Sequence, residues 1–347
     1  MREHIADSFI FTPIKCRQDF LKVLNGIAPL IDSWSIAQPL SYRALMRFAT
    51  AKARAESYIT FDIPKKSGGA RSISAPTGKL KAIQSAINVL MQSLFTPNAC
   101  VTGFTRGKNV RDNAKIHLGQ SCIFNIDIEK FFPSITKSML RKALHREFGE
   151  IFQSSEVINT ICSLCTVPGM DGKEVLPQGA PTSPVLSNIV LQPLDRELVQ
   201  LSKQYGLRYS RYADDITFSH NHPVRRITPK CHAKIRETIK RYGLKINDCK
   251  TSTLVPGMRQ EVTGVVVSSK LNVPRSFIKQ LRSLLHLWAH YGYERAQQIY
   301  TCDFCQGTEK SLARVIRGKI NYLAMIKGKD DSTYLRYRQI LRSLSHS

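Results

Sequence analysis

A chain of 347 residues, 42% of them hydrophobic, holds enough apolar material for a large core or for two or three subdomains. Its 51 Lys and Arg against 26 Asp and Glu leave a formal net charge of +25, which points to a polyanionic partner, nucleic acid ahead of a membrane surface. Nine cysteines at irregular spacing exclude a disulfide framework and read as reduced thiols in a cytoplasmic protein, and no stretch reaches the length of a membrane span.

The opening MREHIADSFIFTPIK lacks the uninterrupted apolar run of a signal peptide. No repeat, low-complexity tract or long Gly/Ser linker interrupts the chain, so one continuous globular unit is expected. YITFDIPKKSGGARSISAP reads as two short strands around a Gly-Gly turn, with Lys65, Lys66 and Arg71 beside the tip. Such a basic hairpin suits phosphate contact, although it is also a common surface feature. Over 77–96, Leu80, Ile83, Ile87, Leu90, Met91 and Leu94 recur at helical spacing, and Pro97 and Asn98 end the helix.

CIFNIDIEKFFPSI alternates as a strand. Cys122, Phe124, Ile126 and Ile128 fall on one face and Ile123, Asn125 and Asp127 on the other, before Phe131, Phe132 and Pro133 break it. VINTICSLCTV reads as a buried helix. VLPQGAPTSPVLSNIVLQPLDREL starts as a Pro/Gly loop and becomes a helix from about Ser183. LRYSRYADDITFS reads as strand, tight acidic turn, strand. KIRETIKRYGLKIN is an amphipathic helix with Ile235, Ile239 and Tyr242 inward and Gly243 as its cap. EVTGVVVSSKLNVP reads as another hairpin. In RSFIKQLRSLLHLWAH, Phe277, Ile278, Leu281, Leu284, Leu285 and Trp288 form an apolar side. Arg275, Lys279, Arg282 and His286 line the other, as a solvated face or as a stripe that tracks a phosphate backbone. Helices interleaved with antiparallel hairpins predict an α+β fold rather than a doubly wound parallel sheet.

Asp127 ends one strand and Asp214-Asp215 occupy the turn of a hairpin. If those strands are neighbours, three carboxylates converge, repel one another and raise each other's pKa. A divalent cation resolves the conflict, and hard oxygen ligands without His or Cys favour Mg²⁺ or Mn²⁺. Two such ions about 4 Å apart can activate a hydroxyl and stabilise a leaving pyrophosphate. A solvated turn is the plainer reading of a bare Asp-Asp pair, but Tyr212, Ala213, Ile216 and Phe218 surround this one with apolar side chains. Cys162-x-x-Cys165 and Cys302-x-x-Cys305 have zinc-ligand spacing; the first pair lies in the buried helix, far from the second, and packing is the better reading.

Tyr212-Ala213-Asp214-Asp215 resembles the catalytic box of reverse transcriptases. FNIDIEKFFPSI resembles the family's first carboxylate motif, LPQGAPTSPVLSN its nucleotide-pocket motif, GLKINDCKT its nucleotide-proximal lysine segment and VTGVVVS its primer grip, all in family order between about Ile63 and Ser268. Asn113-Ala114 and His117 in RDNAKIHLGQ, with Val262-Thr263-Gly264 later, are similar to retron reverse transcriptases. The resemblance implies a right-hand polymerase with an antiparallel palm sheet: fingers over 1–100 and 135–182, palm over 101–134 and 183–268, thumb and C-terminal RNA-binding region over 269–347.

It also implies roles. Asp127 and Asp214 would bind both metals, with Asp215 the more peripheral acid. Phe132 would be the aromatic gate against a ribose 2′-OH. Gln178 would contact the incoming nucleotide, with Gly179 and Ala180 allowing close approach. Lys65 or Lys66, with Arg71, would hold the triphosphate, and Lys250 would assist pyrophosphate departure. Asn113 and His117 would be RNA-binding or family-motif residues, unless they form a structural hydrogen-bond pair. Val262, Thr263 and Gly264 would grip the primer. Arg275, Lys279, Arg282 and the C-terminal YLRYRQILRSLSHS would contact RNA.

A retron enzyme binds a cognate structured noncoding RNA and primes from a guanosine 2′-OH. From dNTPs it makes a branched RNA–DNA hybrid (msDNA), commonly in antiphage defence with an effector protein. No RNase H-like segment is evident after the thumb, so a host RNase H would remove the template. The alternatives are another bacterial defence reverse transcriptase without a branched product, and an RNA-binding scaffold or maturase.

Overall fold

The computed structural model describes residues 13–31, 39–64, 68–169, 171–222, 227–304 and 310–346. Helix α1 (Arg17–Ile27) turns Phe20, Val23, Leu24 and Ile27 inward. Helices α2 (Tyr42–Ala49) and α3 (Ala51–Ala55) lead into the Gly-Gly hairpin, β1 (Tyr58–Pro64) and β2 (Ala70–Pro76). These strands pair antiparallel with Arg71 opposite Ile63. Lys65 and Lys66 lie outside the described residues. Helix α4 (Gly78–Leu94) follows the expected period and buries Leu80, Ile83, Ile87, Leu90 and Met91.

Helix α5 (Val110–Ile116) opens with a capping box between Asn109 and Asp112. Next come β3 (Cys122–Ile128), the single turn α6 (Phe131–Ser134), α7 (Lys137–Phe148) and α8 (Ser155–Cys165). A minimal pair, β4 (Val167–Pro168) and β5 (Glu174–Val175), precedes the long α9 (Ser183–Gln204). The acidic hairpin forms as β6 (Arg208–Tyr212) and β7 (Asp215–His220), followed by α10 (Pro229–Arg241). Strand β8 (Ile246–Leu254) has no counterpart in the sequence reading. Its INDCKTSTL lacks apolar alternation, because it is an edge strand whose middle residues are exposed.

One four-stranded sheet, ordered β6-β7-β3-β8 and antiparallel throughout, organises the centre. Its faces divide the core as the period-2 pattern of β3 requires. Cys122, Phe124, Ile126 and Ile128 join a large cluster with Leu186, Ile189, Ile235 and Ile239. Ile123, from the opposite face, joins a second cluster with Val262, Val265, Leu281 and Leu285. Each such aliphatic side chain contributes about 1.5–3 kcal/mol on burial, so the two clusters fix which face of β3 Asp127 shares.

The second cluster is completed by the hairpin β9 (Glu261–Val262) and β10 (Val265–Val266) with α11 (Arg275–Phe304), α12 (Leu312–Lys327) and α13 (Ser332–His346). Helix α11 kinks at Gly292, whose φ of 71° departs from helical geometry. Its apolar stripe packs inward as expected, and Arg275, Lys279, Arg282 and His286 are exposed. No helix among the described residues is long and apolar enough to cross a membrane.

Candidate active site

Asp127 and Asp215 are direct partners in the β3–β7 register, and Asp214 stands in the two-residue turn between Tyr212 and Asp215. The turn is latched to β3, since Ile128 N–H donates to the Asp214 carbonyl at 3.2 Å. Ala213 makes the reversal with a φ of 57°, a left-handed conformation that costs an L-residue about 1 kcal/mol. Burial, then the charges of Asp214 and Asp127, push the Asp215 carboxyl up to about 7. Burial also raises Asp214, with Asp127 adding to the shift and Lys250 and Arg71 opposing it.

The carboxylates cluster without closing on a single point. Among the described residues no three His, Cys, Asp or Glu side chains form a ready-made metal site. Like charges keep apart, and Lys250 Nζ instead lies 3.1 Å from Asp127 Oδ2. The donor chemistry nevertheless suits a hard divalent cation: Asp127 and Asp215 at the edge of a cavity of about 360 Å³, with Asp214 in the adjoining turn and both turn acids partly desolvated. Asp127, Asp215, Lys250, Thr263 and Gly264 line that cavity. Thr263 (φ 47°) and Gly264 (φ 79°) form a type I′ turn joining paired Val262 and Val265. Asn125 Nδ2 donates to the Glu261 carbonyl at 3.1 Å and ties this hairpin to β3.

Around the acids, Arg71 is exposed on β2 and Phe132 is half-buried, its ring 5.2 Å from that of Phe131. The Gln178 carbonyl accepts from Ser74 N–H at 2.8 Å, which pins its loop to the β1–β2 hairpin. Gly179 lies in that docking contact, packed against β2. Its φ is 129°, and a Cβ there would lie 2.8 Å from Ile73 Cγ2 and 2.9 Å from the Ser74 carbonyl oxygen. Ala180 is buried behind the loop.

Asn113 and His117 correct the expectation of RNA contact, because both side chains are fully buried. Asn113 accepts from the Thr102 hydroxyl at 2.8 Å and donates to the Thr263 hydroxyl at 3.3 Å, so it links the β9–β10 tip to the loop after residue 100. His117 bridges Ser219 and Ser210 across β7 and β6, with both ring nitrogens at 2.7 Å. Burial, then the Arg208 charge, push its pKa down to about 3. Of the two cysteine pairs, the first packs as expected. Cys162 and Cys165 are buried in α8, and that burial pushes both thiols up to about 12. Cys302 is exposed, and Cys305 lies outside the described residues.

The family model described as reverse transcriptase (RNA-dependent DNA polymerase) matches residues 63–297, which include every acid of the site. The chain belongs to the reverse transcriptases. Its right-hand polymerase fold has the β6-β7-β3-β8 sheet as the antiparallel palm sheet. The Retron Ec83 reverse transcriptase of Escherichia coli is 34% identical over 237 residues, 67% of this chain and 75% of that one. The Retron Mx65 and Mx162 reverse transcriptases of Myxococcus xanthus are 34% and 32% identical, covering 68% and 82% of this chain. The chain spans 57% and 63% of the lengths of those two relatives. Telomerase from Candida albicans, solved with a fragment of telomeric RNA, covers 83% of this chain and 63% of its own, at a TM-score of 0.45 and 10% identity.

In this reverse transcriptase the acidic turn rests on a buried polar network that the sequence reading missed. Arg211, just before Tyr212, donates through Nε to Asp195 Oδ1 at 2.8 Å and through Nη2 to Oδ2 at 2.7 Å. Its Nη1 reaches Asn188 Oδ1 at 3.0 Å and the Ala213 carbonyl at 3.3 Å. Tyr209 donates its hydroxyl to Asp195 at 2.7 Å. Burial disfavours the guanidinium charge, but Asp195 outweighs it and holds the Arg211 pKa above its ordinary value. Gly103 packs flat against the turn, where a Cβ would meet Ala213 N at 2.4 Å. One signal was available: Asp195 falls four residues after Leu191 and three before Leu198, within the apolar stripe of α9.

Proposed function

We propose that this chain is an RNA-directed DNA polymerase of the retron type. It binds a cognate structured noncoding RNA, primes from a guanosine 2′-OH and extends it with dNTPs into a branched RNA–DNA hybrid. It acts in the cytoplasm in antiphage defence with an effector protein, and a host RNase H trims the template. The observation that carries this reading is the pairing of Asp127 with Asp215 beside Asp214, in a cavity roofed by the Thr263–Gly264 turn.

Asp127, Asp214 and Asp215 would hold two Mg²⁺ ions, or Mn²⁺. Such ions ease deprotonation of the primer hydroxyl and neutralise charge on the departing pyrophosphate. The chain's own residues supply position. Fingers over 1–100 and 135–182 present Arg71, with Lys65 or Lys66, to the triphosphate. Gln178, on the loop pinned to β2, contacts the nucleotide, and Phe132 screens its sugar. Lys250, 3.1 Å from Asp127, is placed to balance charge as pyrophosphate leaves. Val262, Thr263 and Gly264, in a palm over 101–134 and 183–268, steady the primer end. Arg275, Lys279 and Arg282 open a thumb over 269–347 and follow the RNA backbone.

The test is to express the protein with its native flanking DNA and sequence the nucleic acid that co-purifies, beside an Asp214→Asn/Asp215→Asn variant. DNA joined to RNA through a 2′–5′ branch, absent from the variant, is expected. DNA without the branch would replace the retron reading with that of another defence reverse transcriptase. RNA alone in both samples would favour a scaffold.

A further inference from the structure

Phe104 is held where an apolar side chain gains little from the fold. It is 40% exposed, and its φ of 59° places a bulky residue in left-handed backbone. The segment on either side is tightly fixed. Thr102 N–H donates to the Arg211 carbonyl at 3.0 Å, and Gly103 lies against the Tyr212–Ala213 backbone. The Gly103 carbonyl accepts from Asn188 Nδ2 at 3.0 Å, and Thr105 Oγ1 donates back to the Val101 carbonyl at 3.1 Å. The Phe104 ring meets that of Phe132 at 5.9 Å between centroids, tilted 33°. One short loop thus touches both the acidic turn and the aromatic residue that follows Asp127.

We propose that Phe104 is a positioning residue for sugar selection, buttressing Phe132 so that its ring cannot swing away from a ribose 2′-OH. The inference rests on the reading of Phe132 as the screen for the nucleotide sugar. A gate residue discriminates only as firmly as its rotamer is held, and a half-buried ring needs a neighbour on its open side. Phe131 flanks Phe132 from within and Phe104 from the exposed side. Because Gly103 is wedged on the Ala213 backbone, the buttress is registered to the carboxylates whose substrate it helps choose.

The test is primer extension by the full-length protein on a primed RNA template with Mg²⁺, reading kcat/KM for dGTP and for GTP. The variants are Phe104→Ala, Phe104→Leu, Phe104→Tyr, Phe132→Ala and the Phe104→Ala/Phe132→Ala double. Phe104→Ala is expected to lower the dGTP preference roughly tenfold through a gain in GTP efficiency, a direction that general loss of structure does not produce. Phe104→Tyr should restore the preference, and the double variant should be no less selective than Phe132→Ala, because both act through one ring. If Phe104→Ala fails to fold, Phe104→Leu gives the same reading with the apolar bulk kept. Unchanged preference at Phe104 with relaxed preference at Phe132 would overturn the buttress and leave the gate standing. Multiplicative losses in the double variant would overturn it too. Unchanged preference in Phe132→Ala would overturn the gate and this inference with it, and no extension by the unmodified protein would remove the polymerase reading beneath both.

Discussion

Arg211 and Asp195 form a two-pronged ion pair, 2.8 and 2.7 Å, with both side chains out of solvent directly behind the acidic turn. A buried pair of this kind adds little over apolar packing, but breaking it strands a charge. Asp195→Asn is therefore expected to destabilise the protein by about 3–5 kcal/mol in urea unfolding. An Arg211→Met/Asp195→Leu double should recover much of the loss. If its DNA synthesis stays low despite recovered stability, the network positions the turn as well as holding the fold. Equal damage in the single and double variants would contradict the stranded-charge account.

Asp127 and Asp215 face each other across two strands, and the Asp127 charge raises the electrostatic cost of ionising Asp215. Asp215→Asn removes one of the repelling groups. It is expected to leave the melting temperature without divalent ions equal or higher, while reducing the rise that added Mg²⁺ is expected to give the unmodified protein. DNA synthesis should fall at least about a thousandfold. A variant that loses stability in EDTA would mean that the aspartate serves the fold rather than the chemistry.

The two strands that meet at the acids were legible because period and turn chemistry agree there. CIFNIDI alternates apolar and polar from Phe124 onward, and RYADDITFS sets a two-residue reversal between two strand-like runs. Strand β8 was not legible, since nothing in INDCKTSTL marks an edge strand except its pairing with β3, a contact between residues more than a hundred positions apart. Arg211 and Asp195, only 16 positions apart, are hidden for another reason: their types suggest surface, and their pairing out of solvent is set by tertiary packing. Asn113 and His117 are instructive in the opposite sense. Family likeness marked them, but only the fold reveals that they join the β9–β10 tip and two palm strands from inside.

Gly103 and Gly179 fill places where backbone meets backbone. A Cβ on Gly103 would lie 2.4 Å from Ala213 N, and one on Gly179 would lie 2.9 Å from the Ser74 carbonyl oxygen in a φ that L-residues avoid. Alanine at either position is expected to cost about 2–4 kcal/mol, beyond an ordinary surface change. The two differ in consequence. Gly103→Ala should depress kcat by displacing the acidic turn, and Gly179→Ala should raise KM for dNTPs by loosening the loop from β2. Primer-extension kinetics with thermal melts separate the two.

Between Ser210 and Ser219, His117 is held neutral, its pKa down to about 3 against the usual 6.5. Below pH 6.5 the unfolded chain takes up a proton that the folded one refuses. Stability is then complete above pH 6.5 and lost as pH falls towards 3. From pH 7.5 to 5.5 this one residue should cost about 1.4 kcal/mol. His117→Gln should be less stable at pH 7.5 but should flatten the pH dependence of the urea midpoint by that amount. An unchanged slope would show that His117 titrates normally.

Arg275, Lys279 and Arg282 stand exposed along one side of α11, opposite the side that packs on the second cluster. If the stripe follows an RNA backbone, each cation replaces a condensed counterion on binding. Changing all three to Gln should weaken RNA binding and reduce the slope of log K against log salt by about 2. Melting temperature should not move, because among the described residues these three side chains form no hydrogen bond or ion pair. Weakened binding with an unchanged salt slope would mean that the variant distorts α11 and its surroundings instead of removing phosphate contacts.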